Sequence, residues 1–476
     1  MSYEIRADYS RSWLFPPQLE DWVETDHPAR FIREFVDSLD LAALGFHSRT
    51  SEDGRPNSAA DLLLKVWLFG YVNGLRSMRK LERACRENVG LLWLTGLNEP
   101  DHNTLWRFWR DNRAALRKIF KVVVRAAVQA DLVGVVLHAI DGTKVLAQGS
   151  KDRVRTREQI HQALERIDEA VDDVMEQIEA TAGQDGEGYR LPVGWREQML
   201  RREQLRELAA ECEINDRNTI HELEPQARFM KTRRDGTALA YNAQTVTDAT
   251  SQLIVAEEVI SEGNDNHVLV EMIDHVKDNV GQAADETVGD AGYYSGEQLQ
   301  KAEHRGYGVL IHESREGTSA DKVNPEYDVT RFHYDAQRDC VLCPQGKELR
   351  FEGLKSMGLA KGGEQMRRFR CTQFKDCPVR WQCSQDPKGR TVSVGRFHGA
   401  ITRQRHKRSA ADKRLLLSQR KQVAEPPYGV IKEVMQFRRF TVTGIEKARV
   451  QWSLICCAFD LRKLYPYWLA GNLRFA

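Results

Sequence analysis

Residues 132–152 read LVGVVLHAIDGTKVLAQGSKD, and the fold turns on how that stretch is read. An apolar, β-branched run leads into Asp141-Gly142-Thr143-Lys144. The pattern predicts a strand, a turn at Asp-Gly and a returning strand over residues 132–147. A strand that delivers a carboxylate at its tip matters, because ligands collect at strand ends of open α/β sheets. The bland alternative is that Asp141 only caps the turn.

The chain has 476 residues, enough for two or three domains. With 41% hydrophobic and 29% charged residues, it reads as globular. The 70 basic and 69 acidic residues leave a net charge of +1, so any nucleic-acid surface must come from local clustering. The opening residues, MSYEIRADYSRSW, lack the basic-then-apolar pattern of a secretion signal. Arg125, Gln129, Asp131 and His138 interrupt the longest apolar region, which argues against a membrane span. The nine cysteines are unevenly placed, unlike a secreted disulfide framework, and a cytoplasmic protein is expected.

Residues 1–130 read as helical. PARFIREFVDSLDLAAL has helical spacing after Pro28, and Ser58 is a plausible N-cap for a helix over 59–72. Asn73-Gly74 ends that helix, Ser77 caps a second through Glu87, and a third begins near Asn103. Short helices joined by tight turns suit either a helix-turn-helix DNA-binding unit or a plain bundle. The aromatics Trp67, Phe69, Trp93, Trp106 and Trp109 read as core. Beyond 147, two amphipathic stretches flank GQDGEGYRLP and predict a helical hairpin over about 155–215. From Phe229 the pattern turns β-like, divided at Asp235-Gly236 and at 248–251. A helix over DNHVLVEMIDHVKDNV follows, then a short strand ending at Asp290, a helix from Ser295 and a strand in GYGVLIHE.

Asp141 and Asp290 hold equivalent places, each after an apolar or β-branched run and just before glycine. Two such carboxylates can hold a divalent metal, and a third allows two ions. Asp-Gly-Thr also occurs in haloacid-dehalogenase-type phosphatases, but their nucleophile position is Ala139 here. No nucleotide P-loop motif is present. The third acid is Glu425, just before Pro426-Pro427, where a helix is expected to start. A carboxylate at a helix start is favoured by the dipole, and Lys432 follows two turns later on the same face. Glu446 is the rival. Upstream, ITRQRHKRSAADKRLLLSQRK carries eight basic residues and one acid, either a solvated face or a phosphate-tracking one.

At this point the sequence resembles a bacterial insertion-sequence transposase of the DDE type, with a helical N-terminal domain and a ribonuclease H-like catalytic domain. The motifs are DLLLKVWLFGYVNGLRSMRKLERAC with HNTLWRFW, then AIDGTKV, MKTRRDGTALAYNAQ, VGDAGYYS, and AEPPYGVIK with FRRFTVTGIEKARVQW. The resemblance implies an α+β or α/β fold. It places a DNA-end-binding domain at 1–130 and a catalytic domain at 131–320 and 400–476, with a Cys-rich insertion at 325–395. It implies Asp141, Asp290 and Glu425 as the acids that hold two Mg²⁺ ions. Water then attacks a phosphodiester at the element's end, and the freed 3′-OH attacks a second strand. The family pattern Tyr-x2-Arg-x3-Glu-x6-Lys falls on Ser418, Lys421, Glu425 and Lys432, so the tyrosine is missing and the arginine is lysine. Lys421, Lys432, Arg438 and Arg439 are the expected phosphate contacts. Tyr241, Asn242 and Gln244 are expected on the strand beside Asp141. The expected partners are double-stranded DNA and a second copy of the chain that pairs the element ends, with no membrane and the nucleoid as the place of action. The alternative is a DNA-binding regulator or decayed transposase without catalysis.

The cysteines point elsewhere. Cys343, Cys371, Cys377 and Cys383 suggest a tetrahedral structural Zn²⁺ site, with Cys340 spare; the alternative is a loop packed by its own sulfurs. Cys85, Cys212, Cys456 and Cys457 sit in apolar contexts and read as core.

Overall fold

The computed structural model describes residues 18–47, 57–181, 191–232, 234–313, 324–356 and 365–475. The opening residues and most of the Gly-rich break of the hairpin lie outside these. Helix precedes sheet, as expected. The N-terminal helices are α1 (Pro28–Asp37), α2 (Leu41–Leu44), α3 (Ala60–Val72), α4 (Met78–Glu87), α5 (Val89–Thr95), α6 (His102–Asp111) and α7 (Arg113–Gln129). Pro28 opens α1, with the His27 ring accepting from the Ala29 N–H at 3.0 Å. Ser58 does not cap α3: the helix starts one residue late, with Ala59 at the N-cap and no side-chain bond there. Gly74, at φ +76°, supplies the left-handed turn between α3 and α4. Trp67, Phe69, Trp93 and Trp109 are buried as expected, whereas Trp106 is exposed and stacks on Trp109 with centroids 5.6 Å apart.

The strands β1 (Leu137–Leu146), β2 (Val154–Thr156) and β3 (Thr219–His221) come next, with α8 (Arg157–Thr181) and α9 (Trp195–Ile214) between the last two. The β2–β3 pair closes the base of the hairpin, and Ile160, Leu205, Leu208 and Cys212 form its core. Then come β4 (Arg228–Thr232), β5 (Gly236–Asp248), β6 (Ile254–Ile260), α10 (Leu269–Val280), β7 (Glu286–Gly289), α11 (Gly296–His304) and β8 (Val309–Ile311). The central sheet has the order β4-β5-β1-β7-β8, with β6 also pairing β5. β5 runs antiparallel to β1, β4 and β6, whereas β7 is parallel to β1 and β8 to β7. The result is a mixed α+β architecture.

One expectation at the opening stretch fails. Asp141-Gly142 is not a turn, and β1 runs straight through it, paired with β5 from His138 to Leu146. Gly142 is needed here for space: a Cβ on it would lie 2.3 Å from Gln244 Nε2 on β5. The turn signal is overridden because burial continues on both sides, at Ala139, Ile140, Val145 and Ala147.

An antiparallel sheet of its own follows: β9 (His333–Asp335), β10 (Cys340–Leu342), β11 (Glu348–Ser356), β12 (Gln365–Cys371) and β13 (Thr391–Val394), with α12 (Arg380–Cys383) between the last two. Phe332, Val341, Leu349, Phe369, Val392 and Val394 give it a separate core. The chain returns through α13 (His398–His406), α14 (Ala410–Gly429) and α15 (Ile445–Leu469). α15 is buried along most of its length and shares one apolar core with the N-terminal helices and the central sheet.

A second expectation also fails. No helix starts at Pro426: Glu425 lies near the C-terminal end of α14, which carries Pro426 and Pro427 inside it and continues into a π-helical turn, Val430–Val434. The helix dipole therefore does not favour the Glu425 carboxylate. Pro426 removes the N–H that would bond the Gln422 carbonyl. The Gln252 amide fills that gap, donating to the Gln422 oxygen at 3.2 Å.

Candidate functional site

The site is built where β1 and β7 run side by side. Ala139 pairs with Val288, so Asp141 and Asp290, each two residues further along, emerge next to each other on one face. Asp141 Oδ1 accepts the Gly142 N–H at 2.9 Å. Asp290 Oδ1 accepts the Gly292 N–H at 2.8 Å and caps a short 3₁₀ turn, Ala291–Tyr293. Helix α14 covers this face. Val423 and Ala424 pack on Ala139, Val288 and Leu310. Tyr428, buried, donates to the Asp141 carbonyl at 2.5 Å and accepts from Thr245 Oγ1 at 2.8 Å. Arg420 brings a guanidinium nitrogen to 3.8 Å from Asp141 Oδ2.

A third carboxylate enters from the loop after β6. Asp265 Oδ1 accepts from Asn242 Nδ2 at 2.6 Å and from Gln244 Nε2 at 2.8 Å, and Lys144 Nζ lies 3.7 Å away. The Tyr293 hydroxyl donates to Gln244 Oε1, completing an amide-and-phenol ladder behind the strand. Burial pushes the Asp141 carboxyl up to about 6; the Gly142 N–H and Arg420 oppose the shift, and Asp290 and Asp265 add to it. Burial likewise lowers the Lys144 ammonium, against the pull of Asp265.

The other expected residues fall as follows. Glu425 is exposed on α14. Among the described residues no three or more His, Cys, Asp or Glu form a group that could hold a metal ion, so Glu425 is not drawn onto the aspartate pair. Glu446 instead pairs with Arg449 at 2.6 Å. Lys432 reaches β1 just past Asp141, donating to Thr143 Oγ1 and to the Lys144 carbonyl at 3.3 Å. Lys421 is exposed. Arg438 pairs with Glu433 at 2.5 Å, and Arg439 donates to the Ala147 carbonyl at 2.8 Å, where residues 438–440 bridge to the end of β1. Much of the basic run is structural: Arg403 pairs with Glu303, Arg405 with Glu313, and Lys407 and Arg408 with the buried Glu286. Tyr241, Asn242 and Gln244 do lie on the strand beside Asp141, with Tyr241 bonded to Glu224 at 2.7 Å. Cys85, Cys212, Cys456 and Cys457 are buried.

Asp265, Arg420 and the bonds of Tyr428 are not predicted by sequence. For α14 the signal is the buried stripe 423, 424, 427, 428 and 431, with the half-buried Arg420 one turn earlier, at helical spacing once the prolines are placed inside the helix.

Residues 342–465 match the family model described as a transposase DDE domain, and residues 17–111 match a transposase domain (DUF772). Both matches bear out the resemblance to insertion-sequence transposases of the DDE type. The first spans Glu425, Lys432 and the cysteine region; Asp141 and Asp290 lie outside it. No curated protein and no solved structure matched the chain. No helix among the described residues is long and apolar enough to cross a membrane.

Proposed function

We propose that this chain cleaves DNA at the ends of an insertion sequence and joins the freed 3′-OH to a second strand, with Asp141, Asp290 and Glu425 as its catalytic acids. The observation that carries the reading is the register of β1 and β7, which sets Asp141 and Asp290 side by side. The order of three antiparallel strands followed by two parallel ones supports a ribonuclease H-like catalytic domain.

The donor set suits a hard divalent cation, since it is all carboxylate oxygen. Asp141 is held high by burial and by two like charges, which is the deficit a cation offsets. Bound Mg²⁺ would supply charge neutralisation for the attacking and leaving oxygens. Asp141 and Asp290 are the residues that would hold it. Glu425, exposed and not drawn onto the pair in this structure, would complete the set from α14: Arg420 before it and Tyr428 after it both touch Asp141, so its backbone is tied to the site. Asp265, which also acts on Asp141, is the second reading for the third acid. Lys432 sits beside the pair and Lys421 lies one turn before Glu425, where both can contact phosphates flanking the scissile bond. Arg438 and Arg439 extend that basic edge past the end of β1. The helices around α3 and α4 bind the element end, and two copies of the chain bring two ends together on DNA in the cytoplasm.

The test uses a duplex carrying the terminal repeat of the encoding element. Wild-type protein is expected to nick it with Mg²⁺ or Mn²⁺ and to join the product to target DNA, while Asp141→Asn binds the duplex and does neither. Cleavage undiminished in Asp141→Asn overturns the proposal. Cleavage without joining indicates a nuclease, and binding without cleavage by the wild type indicates a regulator or decayed transposase.

A further inference from the structure

The tetrahedral zinc set expected of Cys343, Cys371, Cys377 and Cys383 does not assemble: among the described residues those thiols form no group that could hold a metal ion. The inserted sheet carries a different signal. Residues 365–396 hold eight Lys or Arg and only two acids, in a chain whose net charge is +1. Three of the eight are spent on the sheet itself: Arg367 pairs with Asp339, and Arg368 and Arg370 pair with Glu352 at 2.7 and 2.6 Å. Asp386 is taken too, lying 3.5 Å from Arg370 and accepting the Lys388 N–H at 2.8 Å. Lys375 and Lys388 are exposed, and among the described residues neither they nor Arg380 has a carboxylate within ion-pair distance. These cations surround aromatic rings. The Arg380 guanidinium lies 4.4 Å from the centre of the Trp381 ring and 4.8 Å from that of Phe374. The Lys388-Gly389 turn packs on Phe374, since a Cβ on Gly389 would stand 2.9 Å from that ring. Trp381 is 67% exposed, more than any other described tryptophan.

We propose that this end of the inserted sheet grips single-stranded DNA, with an unpaired base stacked on Trp381 and the flanking phosphates held by Lys375, Arg380 and Lys388. The proposal rests on the reading of the chain as a protein that acts on DNA, and it adds a surface that neither the acids nor the helical domain supplies. Stacking on an aromatic side chain accepts any base, because every base has a π-face, and a neighbouring arginine adds to the attraction. One face of the indole meets Arg380, and an exposure of two-thirds leaves the other face to a ligand. Bases inside a duplex are already stacked on both sides and must leave the stack to be reached, so the platform fits an unpaired nucleotide. The unpaired cations around it supply the charge that a phosphate backbone needs. Strand β13 links the platform to the catalytic face. Lys388 and Arg390 precede one end of it, and Phe397, just past the other end, packs on Gly296 at the start of α11, six residues after Asp290.

The test reads binding without divalent ions and without cleavage, so the platform can fail while the catalytic reading stands, and the reverse. Full-length protein is titrated into a fluorescently labelled single-stranded thymidine oligonucleotide, and affinity is read by anisotropy. Wild type should bind it. Trp381→Ala should weaken binding about five- to hundredfold, and Trp381→Phe should keep most of it. Lys375→Ala combined with Lys388→Ala should reduce the slope of log affinity against log salt by about 1.4. Irradiation of the wild-type complex with a 5-iodouracil version of the oligonucleotide should attach it to Trp381, located by mass spectrometry. The substituted side chains are exposed, so the variants should unfold in urea at the wild-type midpoint. Trp381→Ala that binds like wild type overturns the proposal, even where the lysine variants lose affinity, because charge alone then acts. Cross-linking only at other residues overturns it as well, and so does tighter binding of a uridine RNA strand than of the thymidine strand.

Discussion

Replacing Tyr428 by phenylalanine removes one oxygen atom that joins three elements. The hydroxyl donates to the Asp141 carbonyl at 2.5 Å and accepts from Thr245 Oγ1 at 2.8 Å, and the ring is buried between α14 and the sheet. The variant loses one bond to Asp141, worth about 1 kcal/mol net, and leaves the Thr245 hydroxyl without its acceptor in a site water does not reach, at about 1–2 kcal/mol. Tyr428→Phe should therefore cost about 2–3 kcal/mol. Thr245→Val should cost about 1 kcal/mol, because Tyr428 keeps its bond to Asp141. In the Tyr428→Phe background the same valine should be nearly neutral, since the stranded hydroxyl is gone, giving a coupling of about 1 kcal/mol or more. Urea denaturation of the four proteins at one pH measures all of these. A loss below about 0.5 kcal/mol in Tyr428→Phe, or strict additivity in the double variant, would refute the bridge and with it the argument that α14 is locked to Asp141.

Other parts of the structure give checks of their own. Gly142→Ala should destabilise by about 1–3 kcal/mol, because its methyl must displace the Gln244 amide 2.3 Å away; a thermal melt reads this. Glu224 accepts from Tyr241 Oη at 2.7 Å, from Gly444 N at 2.8 Å and from Gln148 N at 3.2 Å, so Glu224→Ala should cost at least about 3 kcal/mol by denaturant titration. Burial, with help from Glu258, raises Glu257 to about 7, so the folded state holds a proton that the unfolded chain releases. Stability should fall as pH rises from about 4.5 to about 7, by no more than about 3 kcal/mol from this group. Glu257→Gln should flatten that slope and gain on the wild type above pH 7 without gaining at pH 4.

The strand segments leading into Asp141 and Asp290 were legible because hydrophobic runs before acids survive any detail of turn placement; the order of the strands in the sheet and the register of β1 on β7 were not. The turn at Asp141 was misread because Asp-Gly is a local signal, whereas β5 imposes pairing along the whole of β1. The helix start at Pro426 was misread for a similar reason. Proline rules describe a helix alone, and here a glutamine from a distant turn supplies the missing donor. Arg420 could not be told from its basic neighbours, since only burial against Asp141 distinguishes it. Asp265 comes from a loop whose approach to the site is fixed by β5 lying between, and no spacing rule links it to Asp141.

The central claim is that Asp141, Asp290 and Glu425 together hold the divalent ion. Mn²⁺ titration followed by electron paramagnetic resonance, on protein bound to element-end DNA, tests it most directly. The wild type and Glu446→Gln should bind Mn²⁺ alike, while Asp141→Asn, Asp290→Asn and Glu425→Gln each lose a site or weaken it at least tenfold. Unchanged binding in Asp141→Asn and Asp290→Asn would contradict the account. Unchanged binding in Glu425→Gln together with loss in Asp265→Asn would move the third acid from α14 to the loop after β6.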